Sequence, residues 1–258
     1  MNTHLLLHVA IVAFFAMMVG FVYQIKSKNA GVVDVLWSFG IMFACLYFAF
    51  MNSGHISIRL LVAVLSGAWF CRLGSHILLR MLSEKEDGRY AYVRELYGAK
   101  VNRFHFFFFT FQAGLVVLFS FPMWFVTHHP QPSTLATLIA VLIVFIAFIG
   151  EHQADHQLHL FRSDPDNRGK TCQQGLWKYS RHPNYFFEWL HWFAYPILAI
   201  GMPNSAWLWL APVCMFLFLW YVTGIPFTEK QALKSRGESY RKYQQTTSAF
   251  FPWPPKQL

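Results

Sequence analysis

Charge is what this sequence has least of. Asp, Glu, Lys and Arg make up 13% of its 258 residues, about half the ~25% of an ordinary soluble domain. That shortage excludes a water-exposed globular fold, whose surface needs far more charge. Cysteine is also scarce: Cys45, Cys71, Cys172 and Cys214 show no paired spacing, which excludes a disulfide framework and a zinc ribbon. There is no G-x-G-x-x-G, no P-loop and no G-x-S-x-G, so a soluble-type nucleotide site and a nucleophile elbow are excluded too. No internal repeat, low-complexity tract or Pro/Gly-rich linker divides the chain. It reads as one membrane domain over 1–258, with five spans in 1–150 and the more polar functional half in 151–258.

Apolar residues fill the place of the missing charge, at 55% of the chain and a mean hydropathy of +0.34. They gather into uncharged runs at 5–23, 35–51, 60–71, 104–126, 135–150, 189–201 and 207–227, the third continued past Arg72 by 73–82. A helix needs about 20 such residues to cross a hydrocarbon core of ~30 Å. The expected fold is therefore all-α and polytopic, with seven spans, or six if the short aromatic run at 189–201 is tilted or broken. Nothing basic precedes the first run and no small-residue cleavage pattern closes it, so it reads as a retained span rather than a signal peptide.

The net charge of +9 would suggest nucleic acid in a soluble protein. Here its distribution gives a different account. With seven spans and the N-terminus outside, every Lys and Arg except Arg59 and Arg72 falls in a cytoplasmic segment or the C-terminal tail. That is the positive-inside bias. It places the C-terminus in the cytoplasm and leaves no call for a nucleic-acid partner.

Three cytoplasmic segments are polar enough to hold function: 84–103, 151–183 and 228–258. The first carries a short interfacial helix from Tyr90 to Tyr97. The second continues the fifth span as helix to Arg162, with Asp155, His159 and Arg162 on one face. The sequence DPDNRGK then breaks it. His152, His156 and His159 share an overlapping face, but the H-x-x-H-H boxes of membrane di-iron enzymes are missing, and no metal is expected. The tail EKQALKSRGESYRKYQQ reads as an amphipathic basic helix, followed by PWPP.

The densest group of reactive side chains is GLWKYSRHPNYFFEW, from Gly175 to Trp189, at the mouth of the sixth run. Arg181, His182, Asn184, Tyr185 and Glu188 lie within eight positions there. Each ionisable group in the hydrocarbon zone costs several kcal/mol unless it meets a partner, so the group points to a polar ligand held at the interface. Glu188, about one turn into the apolar run, needs such a partner most, and Arg72 within the third span needs one too. Asp34 and Trp37, at the inner end of the second span, are weaker candidates. Arg162, Arg168, Lys170 and Arg181 flank a flexible loop and suit phosphate recognition. The same charges also serve topology alone, as on any inside loop.

GLWKYSRHPNYFFEW, the preceding FRSDPDNRGK and the terminal TSAFFPWPP resemble the bacterial branch of the steroid 5α-reductase-like membrane family. Its wider superfamily includes sterol C14 reductases and isoprenylcysteine carboxyl methyltransferases. The resemblance is closest from Glu151 onward, and extends to DVLW (34–37), the segment 72–80 and the DGRY turn (87–90). It implies a seven-helix enzyme of a bacterial inner membrane, with a cytoplasm-facing NADPH cavity. Asp155 and Arg162 would hold the adenosine end, Lys170 a phosphate, and Asn184 and Glu188 the nicotinamide part. Gly175 to Tyr179 would form the turn into the site, with Arg181 and His182 beside it. The substrate implied is an apolar small molecule admitted from the bilayer, and the reaction is hydride transfer to a polarised double bond. Candidates for the proton donor are Tyr90, His76 and Tyr185, alongside Glu188 as a further catalytic candidate. The chain departs from the steroid reductases in having no Gln-Glu pair in the second span, with Trp69 near their tyrosine position. In the methyltransferases a similar R-H-P-x-Y, here Arg181, His182, Pro183 and Tyr185, helps hold S-adenosylmethionine. That cofactor, and a non-enzymatic membrane scaffold, are the alternatives.

Overall fold

In a computed structural model describing residues 2–222 and 224–256, the chain is helical, with no strand among the described residues. Five helices make up a first compact unit, residues 1–133 with 199–202. They are α1 (His4–Ser27), α2 (Val32–Met51), α3 (Ile56–Ser83), the short α4 (Gly88–Tyr97) and α5 (Val101–Val126). Each long one carries a long apolar stretch, in which the helix satisfies its interior backbone groups within itself, as hydrocarbon demands, except where Pro122 leaves a gap in the ladder of α5. Helix α3 runs straight through Arg72, whose guanidinium lies 5.5 Å from the centre of the Trp69 ring. The cation is thus accommodated inside a span by an aromatic face.

Helix α4 is pinned by charge. Asp87 caps it, accepting from the Arg89 backbone N–H at 2.9 Å, and also binds the Arg89 and Arg80 guanidinium groups. Asp34 at the start of α2 accepts from the Tyr90 hydroxyl at 2.9 Å and from Arg89 at 2.8 Å. Glu86 accepts from the Ala30 backbone N–H at 2.7 Å and from Arg94 at 2.8 Å. These bonds fasten an interfacial helix to the ends of α1, α2 and α3, where few apolar contacts could do it. At the other end of the unit, the His129 ring meets the Ile200 carbonyl at 3.0 Å.

The second unit, residues 134–198 with 203–258, is built on α6 (Thr134–Ser163). At 1.5 Å per residue its 30 residues extend ~45 Å, so its last turns outrun the ~30 Å apolar layer. Antiparallel to it lie α7 (Pro183–His191) and α8 (Ala194–Leu198), as the pairing of Asn184 with Asp155 and of Phe187 with Gly150 requires. The remainder is α9 (Leu210–Leu217), a π-helical turn at Phe218–Val222, α10 (Ile225–Arg236) and α11 (Glu238–Thr246).

Six helical stretches among the described residues are long and apolar enough to cross a membrane. The sixth run, expected at 189–201, is the exception, because it is split between α7 and α8. The cause is Pro196: it lacks the N–H that would bond the carbonyl of Trp192, where the helix breaks. The tail also differs from the single amphipathic helix expected. Gly237, at φ +53, divides it into α10 and α11. The chain then folds back, burying Phe250 against Phe186, Trp189 and Phe216, with ring centres 6.0, 5.7 and 5.2 Å away.

Candidate functional site

The reactive stretch 175–189 sits between α6 on one side and the folded-back tail on the other. Gly175 makes the turn into it at φ +56, a backbone conformation that side-chain-bearing residues rarely adopt. A Cβ there would also collide with the Gln157 amide. Two bonds then dock the stretch on α6: Gln157 Oε1 accepts from the Leu176 N–H at 2.9 Å, and the Trp177 indole donates to the Ala154 carbonyl at 2.9 Å. The tail completes the clamp. The Tyr243 hydroxyl donates to the Trp177 carbonyl, Ser180 Oγ donates to the Phe250 carbonyl at 2.8 Å, and the Tyr179 carbonyl accepts from the Trp253 N–H at 2.9 Å.

Arg181 is committed to that clamp. Its Nε donates to Glu229 at 2.6 Å, and its Nη1 to the carbonyls of Thr247 at 2.6 Å and Gln244 at 3.1 Å. Its backbone N–H donates to Ser248 at 2.8 Å. Next along, His182 lies flat against the Tyr185 ring, 5.3 Å between centres and 4° between planes, with its Nε2 3.4 Å from Glu229. Burial pushes the His182 imidazole below its ordinary value, against the pull of Glu229. The Tyr185 hydroxyl reaches Thr228 at 3.2 Å.

Pro183 opens α7 at a position where no backbone N–H is needed. Asn184 follows, its Nδ2 donating to Asp155 Oδ1 at 3.4 Å. Its Oδ1 is buried with no hydrogen-bond partner. One turn further, Glu188 is 8% exposed and accepts from the Trp192 indole at 3.2 Å. The His191 ring donates to the Glu188 backbone carbonyl at 2.7 Å.

Two cavities adjoin this cluster. One, of about 210 Å³, is walled by four cations, Arg162, Arg168, Lys170 and Arg236, above Cys172, with no carboxylate in its lining. The other, about 460 Å³, is an open apolar groove of Phe145, Ile146, Ile149 and Phe187 that ends on the amides of Gln153 and Gln157.

The structure thus pairs Asn184 with Asp155 across α6 and α7, sets Glu188 one turn beyond Asn184, and puts Arg162 and Lys170 together in the wall of a separate cavity. Arg181, read from the sequence as part of the cationic set, stands instead among the tail bonds, and Arg236 of α10 takes a place in the cavity wall. Tyr90 and His76 belong to the first unit, where Tyr90 is buried with its hydroxyl donated to Asp34 and His76 is exposed on α3. His152 and His156 stack 6.2 Å apart on the exposed side of α6. Among the described residues no three His, Cys, Asp or Glu come together to hold a metal. Sequence reasoning missed Glu229, although a carboxylate just past an apolar run carries the same signal that singled out Glu188. For Arg236 no local signal existed, since it is one of several basic residues in the tail.

A family model, for a protein of unknown function named DUF1295, matches residues 20–247. The chain belongs to that family, which is steroid 5α-reductase-like. No curated protein and no solved structure matches the chain. The match spans both units and includes the Arg181–Glu229 pair, the Asp155–Asn184 pair and the cation-lined cavity, and ends before Ser248, Phe250 and Trp253 of the clamp.

Proposed function

We propose that this protein is an NADPH-dependent reductase, embedded in the cytoplasmic membrane of a bacterium, that saturates a double bond in an apolar lipid or steroid-like substrate. The observation that supports this most is the unpartnered, buried Oδ1 of Asn184, held beside Asp155. A buried polar atom without a partner costs ~1–3 kcal/mol, and an amide ligand removes that cost. Asn184 Oδ1 accepts from the carboxamide N–H of a nicotinamide, and Glu188 stands one turn beyond. About 10 Å from Asp155 along α6, at 1.5 Å per residue, Arg162 begins the cationic wall that a phosphate-bearing ligand needs.

NADPH, when bound, supplies the hydride. The protein's own residues bind and orient. Asn184 and Glu188 fix the nicotinamide edge, Asp155 orients Asn184, and Arg162 and Lys170 carry the phosphates. The apolar groove beside Phe187 gives a lipid-soluble substrate a place against α6. Tyr185, whose hydroxyl meets Thr228, is the residue to which this reading gives the proton donation. S-adenosylmethionine brings no phosphate and would leave the cations of the cavity unmatched, which argues against the methyltransferase alternative.

The test is ligand stabilisation of the detergent-purified protein. NADPH at about 100 times its dissociation constant adds roughly 2.7 kcal/mol to stability, read as a rise in Tm. Asn184→Ala should remove most of that rise while folding normally without ligand. Stabilisation by S-adenosylmethionine and not by NADPH would overturn the reading.

A further inference from the structure

The geometry points to the four-cation cavity as a site for a terminal phosphate dianion, with Arg236 as the residue that confers selectivity. Three separate parts of the chain converge on it. Arg162 comes from the last turn of α6, Arg168 and Lys170 from the loop after it, and Arg236 from the last turn of α10. Two of these stand at helix C-termini, where a cation complements the helix dipole, so dipole compensation explains each alone. It does not explain their convergence. Four like charges line one cavity, and its lining holds no carboxylate. Arg236 and Arg162 both pull the Cys172 thiol pKa down against the burial that raises it, so both positive charges are felt at the cavity floor.

The cavity's size fits a phosphate. At about 210 Å³ it is many times the ~10–15 Å³ of cavity that one water molecule needs, room for a phosphate with part of the group that carries it. Gly169, at φ +78 with open space where a Cβ would stand, leaves the loop backbone accessible to an anion. Three guanidinium forks, of Arg162, Arg168 and Arg236, offer the paired hydrogen bonds that a phosphate's oxygens accept.

A terminal phosphate of this kind comes from the 2′ position of a dinucleotide or from a lipid headgroup such as phosphatidic acid. Only the first source rests on the proposed NADPH reading. In that case Arg236 is what separates NADPH from NADH, and the C-terminal helices become part of the cofactor site rather than a membrane-surface appendage.

The experiment compares wild type, Arg236→Gln and a control, Lys242→Gln, on the exposed side of α11 outside the cavity. Each is titrated with NADPH, with NADH, and with nanodiscs containing phosphatidic acid or phosphatidylcholine alone. For a dinucleotide source, wild type and control prefer NADPH to NADH. Arg236→Gln weakens NADPH about tenfold or more, the loss of one charged hydrogen-bond partner, and leaves NADH unchanged. For a lipid source, nucleotides show no such preference, and Arg236→Gln instead loses phosphatidic acid binding. That outcome keeps the phosphate site and overturns the NADPH reading separately. If Arg236→Gln matches the control in every titration, the phosphate site is overturned. Arg236→Lys should fall between the two, since it keeps the charge but not the fork.

Discussion

Arg181 and Glu229 form an ion pair with side-chain exposures of 11% and 15%. A pair this dry is favourable only when its remaining donors and acceptors are filled. The carbonyls of Gln244 and Thr247 and the Gln244 amide at 2.8 Å from Glu229 fill them. His182, against the same carboxylate, is the group that gives this node a pH dependence. Burial lowers its pKa in the folded state, so the unfolded chain binds its proton more readily than the folded one. Stability is then complete above the unfolded value of about 6.5 and falls as pH drops below it. His128, also lowered by burial, adds in the same direction. Asp87, held low by Arg89 and Arg80 against burial, loses its contribution only in the more acid carboxylate range. Thermal unfolding between pH 8 and 5 should show Tm falling on the acid side, with a shallower fall in His182→Gln. An equal slope in the variant would remove His182 from this role.

At the scale of elements, the site depends on how closely α7 approaches α6. Gly150 permits it: a Cβ built there would fall within the van der Waals envelope of the Phe187 ring. Alanine at 150 gains up to ~1 kcal/mol of helix propensity, but the ring edge must move, and overpacking of this kind costs ~1–3 kcal/mol. Gly150→Ala should therefore lower Tm and weaken ligand binding, because it shifts Asn184 and Glu188 on the same helix. The double variant Gly150→Ala/Phe187→Leu should recover much of the stability, a coupling expected only of residues in contact. If the two effects simply add, helix spacing is not what Gly150 provides. The π-helical turn at Phe218–Val222 marks a second place where regular helix gives way, just before α10 brings Glu229 to Arg181. Such turns often accompany functional sites.

For the whole molecule, the question is how many times the chain crosses the membrane. The positive-inside bias favours an N-terminus outside and a C-terminus inside, an arrangement that would need an odd number of crossings, whereas six helical stretches among the described residues are long and apolar enough to cross. Helices α7 and α8 together span 183–198, and at 1.5 Å per residue their 16 residues extend about 24 Å. Running antiparallel to α6, they return the chain toward the end where α6 begins. Single cysteines introduced at Ser53, at Asn167 and near the C-terminus should react with a membrane-impermeant thiol reagent from different sides. Ser53→Cys should label from outside the cell, and the other two only after permeabilisation. Ser53 and the C-terminal position labelling from the same side would favour six crossings.

Long apolar runs are enough to place the long helices, because such a run in hydrocarbon has no other way to satisfy its backbone. The sequence offers the break at Trp192–Phe193 only as one of two alternatives, since whether a short run is bridged depends on what packs beside it. Asp155, Asn184 and Glu188 were readable as residues in need of a partner, because the cost of burying a polar group is local. Which partner each one meets was not readable. Arg181 and Arg236 are both cations near the membrane, and the sequence treats them alike. Chain folding turns one toward Glu229 and the tail carbonyls and the other into a cavity with Arg162. The sequence by itself determined the membrane fold, its charge asymmetry and the polar stretch at 175–189, all set by the transfer of residues between water and lipid. Only the tertiary structure decided which cations line the cavity, since that depends on contacts between residues more than 60 positions apart.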